Sequence, residues 1–310
     1  MTDIIVVGGG PAGLTAAVYG LRNGKSVMVI EKSVFGGQIT NSPKVENIPG
    51  FDSISGDEFA DKFLDQAMGQ GAEVVLEEAV KAVPANGSLK DDCSKDIYYI
   101  VETAEGGVYE GLALILATGT THRLLGLEGE DDLIGNGISF CAVCDGDFYR
   151  DKTVVMIGGG NSAFVEANLL VEIAGRLIML QDMPFFTADA KSQEQLFSHD
   201  NVETHLGCKI LGYVTEDGVM KGVRYEEAGE VKTAECDGVF LAVGLIPDNG
   251  AFADLAELDS YGYFASGEDC LTKSPGVFAA GDCRVKSLRQ VATACADGAV
   301  AAIAACGYLR

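Results

Sequence analysis

Two α/β domains of the three-layer ββα kind, one inserted into the other, are what this sequence predicts, and three observations predict them. A strand-and-glycine unit occurs twice, Asp3-Ile-Ile-Val-Val-Gly-Gly-Gly10 and Thr153-Val-Val-Met-Ile-Gly-Gly-Gly160, 150 residues apart. Each copy continues into an Ala-rich helical stretch and a second apolar strand, which is the β-α-β order of a Rossmann-like nucleotide-binding unit. Two later apolar strands end alike, Leu114-Ile-Leu-Ala-Thr-Gly119 and Val239-Phe-Leu-Ala-Val-Gly244. These mark where the chain leaves the first domain and returns to it. The expected boundaries are 1–118 with 245–310 for a discontinuous first domain, and 119–244 for the inserted second.

In the first domain Ile4 to Val7 reads as a buried strand, Leu14 to Leu21 as a helix and Val27 to Ile30 as the second strand. Further on, Pro84 to Asp96 reads as a polar loop, with Ile97 to Val101 and Val108 to Leu116 as strands around the turn-like Glu105-Gly106-Gly107. The second domain repeats the scheme, with a helix from Ser162 to Ala174 and a strand from Leu177 to Leu180. Val277-Phe-Ala-Ala-Gly-Asp282 and a helix from about Val291 close the first domain.

A chain of 310 residues, 47% of them hydrophobic, can bury two cores, which argues against a disordered or fibrous protein. Its apolar runs, Leu112 to Ala117 and Ala299 to Cys306, are too short to cross a bilayer. The sequence enters a strand pattern at Ile4 with neither a basic leader nor a small-residue cleavage site, so a cytoplasmic address is expected. Forty-six acidic against 22 basic residues give a net charge of −24, which repels polyanions and excludes nucleic acid and anionic membranes as expected partners. Of nine cysteines, seven stand alone: Cys93, Cys208, Cys236, Cys270, Cys283, Cys295 and Cys306. That is no secreted disulfide framework, and isolated thiols in a reducing compartment are expected to behave as small buried apolar residues.

The first glycine cluster, Gly8-x-Gly10-x-x-Gly13, lies after a strand and before a helix, with Glu31 at the end of the second strand. The glycines permit a tight turn and close backbone approach, the helix N-terminus faces a pyrophosphate, and Glu31 can accept from a ribose hydroxyl. Gly158-x-Gly160-x-x-Ala163 repeats the pattern, its third small residue still permitting close packing. Two such sites imply two dinucleotides, the arrangement a flavoenzyme needs when one cofactor stays bound and the other delivers hydride and leaves.

Between the two units stands Cys141-Ala-Val-Cys144, followed by Asp145. A Cys-x-x-Cys is a zinc half-site, an inert pair or a redox dithiol. Zinc asks for two more ligands at recognisable spacing, whereas there is no second Cys-x-x-Cys and His122, His199 and His205 are scattered, so no metal is expected. The dithiol reading also accounts for the acid, since one sulfur must leave as thiolate while another group donates and removes protons.

Taken in order, Gly8-Gly-Gly-Pro-Ala-Gly-Leu14, Gly36-Gly-Gln38, Val45-Glu-Asn-Ile-Pro-Gly-Phe51, Ala117-Thr-Gly119, Cys141-Ala-Val-Cys-Asp-Gly146, Gly158-Gly-Gly-Asn-Ser-Ala163, Gly281-Asp282 and Arg289-Gln290 resemble the low-molecular-weight bacterial thioredoxin reductases over nearly the whole chain. The resemblance implies a homodimer with FAD held by Gly8, Gly10, Pro11, Ala12, Gly13, Glu31, Lys32, Gly37, Gln38 and Asn47. Ala117, Thr118 and Gly119, and later Gly281, Asp282, Arg289, Gln290 and Val291, complete that set. A nicotinamide nucleotide would rest on Gly158, Gly160, Asn161, Ser162 and Ala163, with Gln181 and Asp182 at the second strand end and Gly244 nearby. By the same resemblance Cys144 faces the flavin, Cys141 attacks the disulfide of thioredoxin or a thioredoxin-like protein, and Asp145 is acid and base. Family members rotate the second domain between two poses, with hinges here near 117–123 and 243–249.

One stretch departs from the family pattern. Where the family carries His-Arg-Arg and a further Arg for the 2′-phosphate of NADPH, this chain has Leu180-Gln-Asp-Met-Pro-Phe-Phe-Thr-Ala188, with Asp182, Met183 and Thr187 in the arginine places. NADH is therefore expected in preference to NADPH. Two rival uses of the same parts are an FAD-dependent dithiol oxidase that passes electrons to oxygen, and a thioredoxin reductase fed by ferredoxin or flavodoxin. Those carriers are acidic, and a chain of this charge repels them unless a local basic patch forms.

Overall fold

The structure, a computed structural model, describes residues 1–42, 45–86 and 97–310. β1 (Thr2–Val7) is β-branched at every position but Asp3, with Ile4, Ile5 and Val6 fully buried, and α1 (Pro11–Arg22) opens with Pro in its first turn, where the missing N–H has no helical partner to lose. There follow β2 (Val27–Glu31), α2 (Gly56–Gly69), β3 (Glu73–Leu76), β4 (Ala79–Asn86), β5 (Ile97–Thr103), β6 (Val108–Leu116) and β7 (Thr120–His122). α3 (Glu130–Leu133), β8 (Ile138–Ser139), α4 (Ala142–Asp145), β9 (Thr153–Ile157), α5 (Asn161–Leu170), β10 (Arg176–Gln181), α6 (Ala190–Leu196) and β11 (Val202–Leu206) come next. The remainder is β12 (Lys209–Glu216), β13 (Val219–Glu227), β14 (Glu230–Glu235), β15 (Gly238–Leu241), β16 (Leu245–Pro247), β17 (Val277–Ala279) and α7 (Val291–Tyr308).

The chain divides into two units, Met1–Thr40 with Ile54–Thr121 and Ile246–Arg310, and Asn41–Ser53 with His122–Leu245. The long crossings thus fall three residues after 118 and one after 244, and the short segment Asn41–Ser53 associates with the second unit. At the crossings β7 and β16 pair as a two-stranded ribbon.

In the first unit the sheet runs β3-β2-β1-β6-β5-β4, and β17 pairs with the C-terminal half of β6. β1, β2 and β3 are parallel, as a crossover helix requires, while β4, β5 and β6 form an antiparallel meander. The strand β4 continues to Asn86, so the expected loop begins later than Pro84, and its remaining residues 87–96, with Cys93, lie outside the described residues. One face of the sheet packs Ile4, Val6, Val29 and Ile115 against α1 and α7. The other packs Ile5, Leu114 and Leu116 against Tyr99, Val101, Phe252 and Phe264.

The second unit repeats the plan, with sheet order β11-β10-β9-β15-β8, all parallel. The antiparallel β12-β13-β14 covers one face through Met220, Val223 and Tyr225, and α5 covers the other through Phe164, Ala167 and Leu170. Each unit is thereby a three-layer ββα sandwich.

Among the described residues, α7 is the one helix long and apolar enough to cross a membrane. Here Ala301, Ala302 and Ala305 are fully buried in the first core. Gly298 lets α7 approach α1 so closely that a Cβ there would lie 2.1 Å from the Ala12 carbonyl oxygen. A core helix packed this way passes a length-and-composition test for the same reason a membrane span does.

Candidate active site

Both glycine turns are backbone-tight. Gly8 has φ +107°, and a Cβ there would sit 2.1 Å from the Ala117 carbonyl oxygen at the end of β6. Gly158 has φ +129°, and its Cβ would sit 2.4 Å from the carbonyl oxygen of Ala242, just past β15. Only glycine allows this approach, which opens the helix N-terminus at the strand ends.

Under the first turn, Glu31 is buried and its two carboxylate oxygens accept from the Gly9 N–H at 2.7 Å and the Ser33 N–H at 3.0 Å. Gln181 takes the matching place in the second unit, since a Cβ on Gly159 would meet its Cδ at 2.5 Å as one on Gly9 would meet Glu31 Cβ at 3.0 Å. The loops beyond also correspond: the Gly36 N–H donates to Gly9 O at 2.8 Å, and the Thr187 N–H to Gly159 O at 2.9 Å. Asp182, Met183 and Thr187 are exposed, and Asn161 and Ser162 present the open start of α5. Lys191 is exposed on α6, whereas Arg224 lies within β13, paired with Gly212 and Thr233 in the separate three-stranded sheet.

The residues expected around FAD largely converge. Gly37 lies against Gly10, and Gly281 against Ala12, whose Cβ would be 2.8 Å from one built on Gly281. Gly8, Glu31, Lys32, Val80, Thr118 and Asp248 line one cleft, where Lys32 Nζ pairs with Asp248 Oδ2 at 2.9 Å and Thr118 Oγ1 donates to Asn249 Oδ1 at 2.6 Å. Asp282 is partly buried, its Oδ1 fully so and unpartnered among the described residues, and burial pushes its carboxyl up to about 6. The loop carrying it is pinned by Asp297, which accepts from the Gly281 N–H, from Arg284 in bidentate fashion at 2.8 Å twice, and from Lys286 at 2.9 Å. Arg289 donates to Asp282 O at 3.2 Å and stacks 4.3 Å from the Tyr263 ring, and Gln290 forms a capping box with Thr293 before Val291 begins α7. Tight glycine backbone, a buried carboxylate at the end of β2 and an orphaned carboxylate oxygen suit a dinucleotide of the FAD kind. Asn47 belongs to the segment that associates with the second unit, where its amide nitrogen lies 4.0 Å from Cys144 Sγ.

Cys141 and Cys144 form a disulfide at the start of α4, their Cα atoms 5.3 Å apart, and the Cys144 N–H points at Cys141 Sγ at 3.2 Å. Ser139 on β8 accepts from the Cys141 N–H at 3.1 Å and donates to Asp145 Oδ2 at 2.6 Å. Asp145 is buried with Oδ1 unpartnered among the described residues; burial pushes its carboxyl up, and the Ser139 bond draws it partly back. A proton held at that position, beside a disulfide, is available to a sulfur that leaves as thiolate. Val143 and Phe148 are exposed around it. Two contributors escape sequence reasoning, Ser139 and Glu166 of α5, which accepts a hydrogen bond from the Ala142 N–H. Ser139 precedes the motif by two residues and carries no signature, and Glu166 meets it only through the packing of α5 on α4. The six described isolated cysteines are free thiols, five of them buried, and burial raises Cys208 to about 11 and Cys236 and Cys270 to about 12.

The model of the family described as pyridine nucleotide-disulphide oxidoreductase matches residues 2–298. A thioredoxin reductase of Listeria monocytogenes is 38% identical over 96% of this chain and 91% of the relative. A Clostridium pasteurianum relative named "34.2 kDa protein in rubredoxin operon" is 37% identical over 99% of this chain and 97% of its own length. The solved thioredoxin reductase of Streptococcus pyogenes superposes with a TM-score of 0.88 at 35% identity, covering 100% of this chain and 98% of that one. With its dithiol carried between two nucleotide-type turns and its whole length shared with these proteins, the chain belongs to the pyridine nucleotide-disulphide oxidoreductase family, among its bacterial-type thioredoxin reductases.

Proposed function

We propose that this chain is a thioredoxin-disulfide reductase that binds FAD, takes electrons from NADH in preference to NADPH, and passes them through Cys141 and Cys144 to thioredoxin or a thioredoxin-like protein. The observation that carries the reading is Asp145, a buried carboxyl with one free oxygen, tied by Ser139 to the backbone of Cys141. An inert disulfide has no use for such a group.

Bound FAD supplies the step from a two-electron hydride donor to a disulfide. Gly8, Gly10 and Gly13 would receive its pyrophosphate, Glu31 its ribose, and Asp282 a further hydroxyl. Cys141 then attacks the partner disulfide as thiolate, held by the Cys144 N–H. The partner sulfur that leaves takes a proton from Asp145, and Cys144 displaces the partner from Cys141. The cytoplasm keeps the six described free thiols reduced, and a homodimer is the oligomer the resemblance implies.

The nicotinamide preference follows from charge at the end of β10. A 2′-phosphate asks for Arg or Lys, and among Gln181 to Ala188 there is neither. Coupled reduction of thioredoxin with NADH and with NADPH tests the whole reading.

A second reading replaces the nicotinamide by a small iron–sulfur or flavin carrier such as ferredoxin or flavodoxin. It is favoured by the neutral Gln181 in the place of Glu31. Failure of both nucleotides to reduce the flavin, with retained thioredoxin reduction from a low-potential donor, selects it. Oxygen uptake driven by small thiols, without thioredoxin turnover, selects the oxidase.

A further inference from the structure

We propose that Glu166 is a second carboxylate of the dithiol site, a positioning residue that fixes the turn between the two sulfurs by accepting from the Ala142 N–H and that opposes thiolate formation through its charge. The proposal rests on the disulfide-reductase reading only in giving the thiolate its use.

Glu166 projects from α5 toward α4 and binds the backbone between Cys141 and Cys144, so one carboxylate oxygen is spent on the N–H of Ala142. A neutral acceptor such as Gln makes the same bond, so backbone satisfaction alone does not call for an acid. What an acid adds is a charge that responds to the dithiol. Burial raises the Glu166 carboxyl, the Ala142 bond lowers it, and the charge of Asp145 raises it again. Burial thus raises both carboxyls, and an ionised Asp145 raises Glu166 further. The groups around the pair are the Ser139 hydroxyl from β8, the Tyr149 phenol after α4, raised to about 12 by burial and by Asp145, and the Cys236 thiol and Asp237 that face Tyr149.

Two electrons entering the Cys141–Cys144 bond leave two sulfur anions, each neutralised by one proton on full protonation. Every negative carboxylate beside them raises the pH at which the attacking thiol ionises. Ionised, Glu166 therefore opposes loss of the Cys141 proton, while its hydrogen bond keeps the turn in place.

The test separates charge from hydrogen bond. The rate of Cys141 alkylation by iodoacetamide is followed against pH in reduced protein of a Cys144→Ser background with all seven isolated cysteines, Cys93 included, blocked or replaced, comparing Glu166 with Glu166→Gln and Glu166→Ala. Glu166→Gln keeps an acceptor for the Ala142 N–H and should move the profile to lower pH, alkylation below neutrality rising by about three- to tenfold. Glu166→Ala should broaden the profile and lose the single-site behaviour. A Glu166→Gln profile that overlays the wild type, or moves to higher pH, overturns the proposal and leaves Glu166 a backbone cap. The alkylation assay uses neither donor nor partner, so loss of the reductase reading would show separately, as absent thioredoxin turnover in wild type.

Discussion

Ser139 Oγ donates to Asp145 Oδ2 at 2.6 Å while accepting from the N–H of Cys141 at 3.1 Å, so one hydroxyl ties the acid to the disulfide. The bond favours the ionised carboxylate, and its removal leaves burial unopposed. Ser139→Ala should therefore move the acid-base limb of thioredoxin turnover to higher pH, by about one pH unit for a hydrogen bond of roughly 1.5 kcal/mol to a charged group. A pH–rate profile checks this, and an unshifted limb with lower amplitude would reduce Ser139 to a spacer.

Asp145→Asn keeps the shape and removes the proton. Disulfide turnover should fall by about 10² to 10⁴, with reduction of the flavin less affected. Stability should change in the opposite direction. Because the folded-state carboxyl is raised, the native protein holds a proton that the unfolded chain has released, and stability falls as pH rises from the ordinary carboxylate range through the raised value. The variant escapes that loss, so thermal melts above the window should show it equal to or more stable than wild type, and below the window should show no gain.

Asp282, raised to about 6 by burial, follows the same sign rule between the ordinary carboxylate range and about pH 6. FAD-free Asp282→Asn should melt higher than FAD-free wild type by a few °C at about pH 8 and not at about pH 4. Its FAD should nonetheless dissociate more readily, since a neutral amide oxygen accepts more weakly than the orphaned carboxylate oxygen. Equilibrium dialysis of FAD reads the second effect, and equal retention by both proteins would remove Asp282 from the cofactor site.

Donor choice turns on the end of β10. Missing two charge-assisted bonds of roughly 1.5 to 3 kcal/mol each corresponds to about two or more decades against NADPH. kcat/KM for NADH should exceed that for NADPH, and Asp182→Arg should narrow the gap. Gln181→Glu, which restores the acid that Glu31 provides in the first unit, should improve NADH without helping NADPH. Improvement of both nucleotides alike would mean that Gln181 does not read the ribose.

The parts of this molecule visible in its sequence are those written in short-range patterns. The duplicated strand-glycine-helix units, the antiparallel strands at 97–116 and α7 from Val291 all announce themselves through apolar runs and glycine positions, and the helices differ from expectation only at their ends. What the sequence hides is set by packing between distant segments. Gln181, the last residue of β10, packs against Gly159, whereas Asp182 follows the strand and is exposed. Asn47 carries no local sign that it lies beside Cys144. The Arg284–Asp297 pair, thirteen residues apart, is buried only because α7 folds back over the loop that bears Asp282.

The central claim is that electrons reach a protein disulfide through Cys141 and Cys144. Its most direct test is an anaerobic count of thioredoxin thiols formed against NADH consumed, using FAD-loaded wild type, Cys141→Ser and Cys144→Ser. The account predicts equimolar NADH and thioredoxin dithiol for wild type and no dithiol for either variant. Thioredoxin reduction at the wild-type rate in both variants, or NADH oxidation by wild type without any thioredoxin dithiol, would contradict it.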